Sequence, residues 1–165
     1  MDELRILTVV GARPQFAKAA LSRAIAAVDG VREILVHTGQ HFDPNMSQIF
    51  FEELGLATPH VNLGIHGGSH GVMTGRMLAA LEQVTVEERP DLVLVPGDTT
   101  STLAGALAAS KLHVPVAHLK AGLRSYNRRM PEEINHVLTD HLRRRRRSAT
   151  CVARVSSVAS TKSAM

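Results

Sequence analysis

Apolar residues in this chain fall into short continuous runs, separated by longer stretches in which they recur every three or four positions. Residues 4–10, LRILTVV, and 33–38, EILVHT, read as buried strands, because a parallel strand covered on both faces is apolar almost throughout. Leu92 to Val95 and Val114 to Ala117 repeat that pattern, and His60 to Leu63 give a shorter strand. A helix runs between the first two strands from about Pro14 to Val28. Pro14 suits a first helical turn and Gly30 a helix end. Residues 43–54 place Met46, Ile49, Phe50 and Leu54 on one helical face. A helix from Val72 to Glu88 is closed by Pro90, an Ala/Leu-rich helix reaches Leu112, and a last helix runs from Pro131 through Ile134, Val137, Leu138 and Leu142. The strict alternation predicts an α/β fold, a doubly wound parallel Rossmann-like sheet with strand order 3-2-1-4-5.

In such a sheet, loops at the carboxyl ends of neighbouring strands face one crevice, and ligands bind there. Asp98, His118, Lys120, Arg124 and Glu132 are therefore expected to share one site. Three motifs have a plainer reading beside the chemical one. Gly11-Ala12-Arg13-Pro14 with Lys18 feeds a helix N-terminus suited to a diphosphate, or is a tight turn carrying two surface cations. Asp98 handles a substrate hydroxyl or a proton, or caps the following helix. Glu132 and Glu133 act as carboxylates, or favour a first helical turn by dipole alone. His41 is expected to line the cleft. The nine histidines show no zinc-type spacing, so no metal is expected.

Composition narrows the class. Aromatics are 3% with no Trp, which argues against stacking platforms for single-stranded nucleic acid. A single Cys, Cys151, builds no disulfide framework, and no apolar run approaches a membrane span. A cytoplasmic chain with no nucleic-acid or membrane partner is expected. The net charge of +4 belongs to the tail: seven Lys and Arg follow Asp140, leaving 12 against 15 Asp and Glu before it, a formal −3. Arg143 to Arg147 interrupt the last helix on every face, and residues 143–165 read as a disordered or foreign tail to a domain of residues 1–142.

The segments VVGARPQFAKAA, HTGQHFDPNMSQIFFEELGL, VNLGIHGGSHGVMTGRML, PDLVLVPGDTTSTLAGALAA and VPVAHLKAGLRSYNRRMPEEINHVLTDHL, taken in order, resemble the N-terminal half of the non-hydrolysing UDP-N-acetylglucosamine 2-epimerases. GARPQF and SHG also look like the branch acting on UDP-2,3-diacetamido-2,3-dideoxyglucuronate. The resemblance implies a two-domain GT-B-like fold, a cleft between Rossmann-like domains, a homodimer for the intact family member, and no cofactor. It implies inversion at C2 of a UDP-sugar by elimination and re-addition of UDP. By motif, Asp98 and Glu132 are the acid/base carboxylates. Arg13, Lys18, His41, His118, Arg124 and His136 fall on the substrate side.

Three departures follow from the same comparison. The family's HVEAGLR is HLKAGLR here, so Lys120 stands where a glutamate is expected. His136 stands where PEExNR has arginine. The resemblance ends after Leu142, as after a frameshift or truncation, which implies that the C-terminal domain supplying most nucleotide contacts is missing. The chain alone is therefore expected to be inactive. The alternatives are a non-catalytic nucleotide-sugar-binding module and the first half of a GT-B glycosyltransferase.

Overall fold

The computed structural model describes residues 3–11, 16–40 and 59–143, with residues 16–20 as backbone only. The elements are β1 (Leu4–Val10), α1 (Phe16–Ala26), β2 (Val31–His37), β3 (Val61–Asn62), α2 (His70–Glu88), β4 (Leu92–Pro96), α3 (Thr100–Lys111), β5 (Val116–Leu119) and α4 (Pro131–Leu142). The five strands form one parallel sheet in the order β3-β2-β1-β4-β5, as the alternation of runs predicts. Residues 43–54, read as a helix, lie outside the described residues.

Side chains on the two faces of the sheet feed two cores. Leu7, Val9, Ile34, Val36, Val93 and Val95 pack beneath α2 and α3 with Met77 and Leu81. Leu4, Ile6 and Leu94 pack with Ile25 and Leu21 of α1. Burying one such side chain stabilises the fold by about 1.5–3 kcal/mol. The small residues of α3 set its distance from the sheet. A Cβ at Gly105 would lie 3.2 Å from methyls of both Val9 and Val95, so a larger side chain there would push the helix off β1 and β4. Among the described residues, no helix is long and apolar enough to cross a membrane.

Several boundaries differ from the sequence reading for local reasons. α2 starts at His70 because Ser69 caps it, accepting from the backbone N–H of Val72. α3 is capped by Thr99, paired reciprocally with Thr102, and not by Asp98. β5 begins at Val116, since His113 turns through a positive φ of 60° just before it.

The largest difference is the orientation of α4. Two of its apolar residues face away from the core, Ile134 and Leu138, 46% and 47% exposed, while Leu142 packs against it. Glu133, His136, Thr139 and Asp140 point inward instead. Polar partners in the preceding loop and at β5 satisfy Glu133 and Asp140, and Ile134 and Leu138 face outward. Met130, Ile134 and Leu138 extend the stripe at four-residue spacing, and Leu123 and Tyr126 are exposed as well. An uncovered apolar strip of this kind binds hydrophobic dyes and self-associates. The parent chain should enhance dye fluorescence and elute ahead of a monomer on gel filtration, and Ile134→Glu with Leu138→Lys should reduce both. An unchanged dye signal would show that this strip is not responsible.

Candidate functional site

The chain reverses direction across the sheet between β1 and β4, and the carboxyl ends of these strands open the crevice. At that point Gly11 packs on Ser101 in the first turn of α3. A Cβ added to Gly11 would lie 1.8 Å from Ser101 Oγ and 2.6 Å from Thr38 Oγ1. The absence of a side chain makes room for a buried hydroxyl set: Ser101 Oγ is 2.7 Å from Thr38 Oγ1 and donates to Gln40 Oε1 at 2.8 Å. Gln40 Oε1 also accepts from the Ser101 N–H at 3.2 Å, which satisfies an N-terminal amide of α3. Gly11→Ala should therefore cost about 1–3 kcal/mol by overpacking, read as a lower urea midpoint. A midpoint within error of the parent would mean that Ser101 moves aside freely.

The second cluster lies one strand further, at the ends of β4 and β5. Gly97 and Leu119 are joined across these strands by an N–H to carbonyl bond of 3.2 Å, so the turn bearing Asp98 and the end of β5 bearing Lys120 are neighbours. His118 is wholly buried between them. Its Nε2 donates to the Gly97 carbonyl at 2.6 Å, and its Nδ1 is 2.7 Å from Asp140 Oδ1. The other oxygen of Asp140 accepts from Arg124 Nη2 at 2.7 Å and from the Gly122 N–H at 2.9 Å. His136 stacks at a tilt on His118, with ring centroids 4.8 Å apart, and its buried Nε2 has no hydrogen-bond partner. Asn135 Nδ2 donates to the Asp98 carbonyl at 3.1 Å, tying the first turns of α4 to the Asp98 turn.

The sequence-derived candidates are thus distributed unevenly. Asp98, His118, Arg124 and His136 converge here. Lys120 follows β5 directly, exposed, with a left-handed φ of 65°. Glu132 is exposed in the first turn of α4, whereas its neighbour Glu133 is buried and accepts from the backbone N–H and hydroxyl of Ser125. Arg13 and His41 lie outside the described residues, and so does the side chain of Lys18. Asp140 is not among the sequence-derived candidates. The signal for it was the set Glu133, His136 and Asp140 at helical spacing, which marks a polar stripe on one helix face.

His118, His136 and Asp140 offer ligand atoms within 4.8 Å of one another, residues 18 and 22 positions apart from His118 in sequence. Proximity alone does not make them a metal centre. Both carboxylate oxygens are already engaged, one by His118 and one by the Arg124 guanidinium. A divalent ion would have to displace a cation that already compensates the buried charge. The cluster is an ion-pair and hydrogen-bond network.

Its titration follows from the same contacts. Burial pushes the Asp140 carboxyl up, but hydrogen bonds from Arg124, His118 and Gly122 outweigh it and hold it below the usual carboxylate range. Glu133 is held low by the Ser125 backbone N–H. Burial, reinforced by His118, depresses His136. A depressed histidine is buried neutral, so its contribution is complete above about pH 6.5 and is lost as pH falls through the lower folded value. The depressed carboxylates contribute above about pH 4 and lose that contribution as they protonate in the fold. Melting temperature should therefore fall in two stages on acidification, and His136→Gln should remove the upper one. A single stage below about pH 4 in the parent would contradict the assignment to His136.

The sheet order and the polar clusters at its carboxyl edge define a Rossmann-like α/β domain. The family model described as UDP-N-acetylglucosamine 2-epimerase matches residues 23–154, and the chain belongs to that family. The chain is 64% identical over 140 residues to a UDP-2,3-diacetamido-2,3-dideoxy-D-glucuronate 2-epimerase of Pseudomonas aeruginosa, covering 84% of this chain and 40% of that protein. It is 50% identical over 141 residues to a UDP-N-acetylglucosamine 2-epimerase of Methanocaldococcus jannaschii, covering 84% and 38%. A crystal structure of the Methanocaldococcus jannaschii UDP-GlcNAc 2-epimerase in complex with UDP-GlcNAc and UDP superposes with a TM-score of 0.82 at 45% identity, covering 96% of this chain and 44% of that one. The chain therefore spans about two fifths of the length of the curated relatives it matches.

Proposed function

We propose that residues 1–142 form the N-terminal, Rossmann-like half of a UDP-sugar 2-epimerase, with the Arg-rich residues 143–165 outside the reacting site. In this reading UDP-N-acetylglucosamine loses the C2 proton while the C1–O bond to UDP breaks, giving a glycal. UDP then re-adds at C1 as a proton arrives on the opposite face of C2. Asp98 and Glu132 are the proton-handling carboxylates, and position 120 is a third proton-handling position now held by lysine. Arg13, Lys18, His41 and Arg124 serve the diphosphate and sugar, where positive charge favours the leaving group. His118 and His136 back the site from the protein side. By itself this half leaves the cleft open to water and is inactive; the intact enzyme acts as a homodimer with a C-terminal domain.

The observation that carries the reading is the 64% identity, over 140 residues, to a C2 epimerase of a UDP-sugar. The same observation favours a second substrate, UDP-2,3-diacetamido-2,3-dideoxyglucuronate, since the identity to the UDP-N-acetylglucosamine enzyme of Methanocaldococcus jannaschii is 50%. The test is a fusion of this chain to the C-terminal segment of the Pseudomonas relative, assayed by chromatography for the C2 epimer of each sugar. Formation of either epimer supports the reading and selects the substrate. A folded fusion that converts neither, even with Lys120→Glu, would overturn it.

A further inference from the structure

We propose that Asp140 is a positioning residue that sets both loops of the site through one buried carboxylate. It resides on α4, yet none of its three short contacts is to α4. Through His118 it reaches the Gly97 carbonyl, with 2.7 Å and 2.6 Å separating the successive polar atoms. That carbonyl belongs to the peptide preceding Asp98, so the chain Asp140–His118–Gly97 fixes the turn from which Asp98 projects. Through the Gly122 N–H at 2.9 Å and Arg124 Nη2 at 2.7 Å it holds the loop that starts at Lys120.

A second tie holds the same loop further on, where the Ser125 N–H and hydroxyl donate to Glu133. Lys120 and Gly122 both adopt left-handed φ values, 65° and 86°. A non-glycine residue persists there only when its surroundings over-determine it. The Asp140 carboxylate lies 5% exposed among these donors, so its hydrogen bonds meet little competition from water and are directional. Asn135 adds a parallel tie from the same helix to the Asp98 carbonyl. Rotation of α4 about its axis would accordingly move the Asp98 turn and the Lys120 loop together. What those two positions do chemically rests on the proposed function; the mechanical coupling does not.

The test uses the full chain, labelled with nitrogen-15, and reads backbone amides without substrate. Asp140→Asn keeps the shape and removes the charge. It should speed hydrogen exchange of the Gly122 amide about tenfold or more, the cost of a hydrogen bond to a charged acceptor. It should also shift the amide resonances of Gly97, Asp98 and Lys120 together, while Ile34 and Val36 in β2 exchange as in the parent. Asp140→Glu retains the charge one methylene further out. It should hold Gly122 protection near the parent while displacing the Gly97, Asp98 and Lys120 resonances in concert, which keeps the idea testable should the asparagine variant not fold. Two results would overturn the proposal: equal acceleration at Gly122 and at β2, which is plain destabilisation, or glutamate-variant spectra in which Gly97 and Asp98 do not move. Because no sugar is added, a failure here is separate from a failure of the fusion to epimerise.

Discussion

In a protein restored to two domains by fusion, Lys120→Glu should raise the rate of C2 proton exchange by about a hundred- to ten-thousand-fold, the worth of a general acid/base group. Lys120 sits at the end of β5, and Leu119 before it is bonded to Gly97, next to Asp98. An ammonium has three donors and no acceptor, so it cannot take a proton from C2, whereas a carboxylate at the same place can. The backbone makes the comparison clean. The φ of 65° at residue 120 disfavours lysine and glutamate alike, since both are unbranched at Cβ. The substitution therefore changes charge and proton capacity with little change in strain. The measurement is deuterium incorporation at C2 for the two fusions side by side. Equal rates would remove position 120 from the proton chemistry and leave it to Asp98 and Glu132.

Asp140→Leu should destabilise the chain by about 3 kcal/mol, at the low end of the range for breaking a buried ion pair. The leucine is similar in size, so the cost is electrostatic and not a cavity. It strands the His118 Nδ1, which is wholly buried beside the lost carboxylate, and the Gly122 N–H. Arg124 is 23% exposed and can turn toward water, which keeps the cost from reaching the upper end. Urea denaturation followed by circular dichroism measures this. A midpoint equal to that of the parent would show that the network contributes no net stability.

The sheet was legible because fully covered strands are apolar throughout, and LRILTVV and LVLVP leave no other assignment for their residues. Alternation gives a parallel, doubly wound sheet, and the order 3-2-1-4-5 is one of its two common arrangements. The face of α4 was not legible. Ile134, Val137 and Leu138 look like a core stripe, and the helix instead buries Glu133, His136, Thr139 and Asp140. Their partners, Ser125, His118 and Arg124, come from other segments, and periodicity reports only the helix's own pattern. Asp98 illustrates the converse. It is a good helix-capping residue by type, but Thr99 forms the cap together with Thr102. The spacing of Glu133, His136 and Asp140 marks a polar stripe, but nothing within that helix identifies what Asp140 holds.

The most direct measurement is proton exchange at C2 of UDP-N-acetylglucosamine and of its diacetamido counterpart in deuterated water. It would be made on this chain alone and on its fusion to the C-terminal segment of the Pseudomonas relative, each with and without Lys120→Glu. The chain alone should incorporate no deuterium above a protein-free control, and the Lys120→Glu fusion should incorporate it readily into one of the two sugars. Deuterium incorporation by the chain alone would contradict its inactivity as half of a cleft, and none by a folded Lys120→Glu fusion with either sugar would contradict the assignment of this domain as half of a UDP-sugar 2-epimerase.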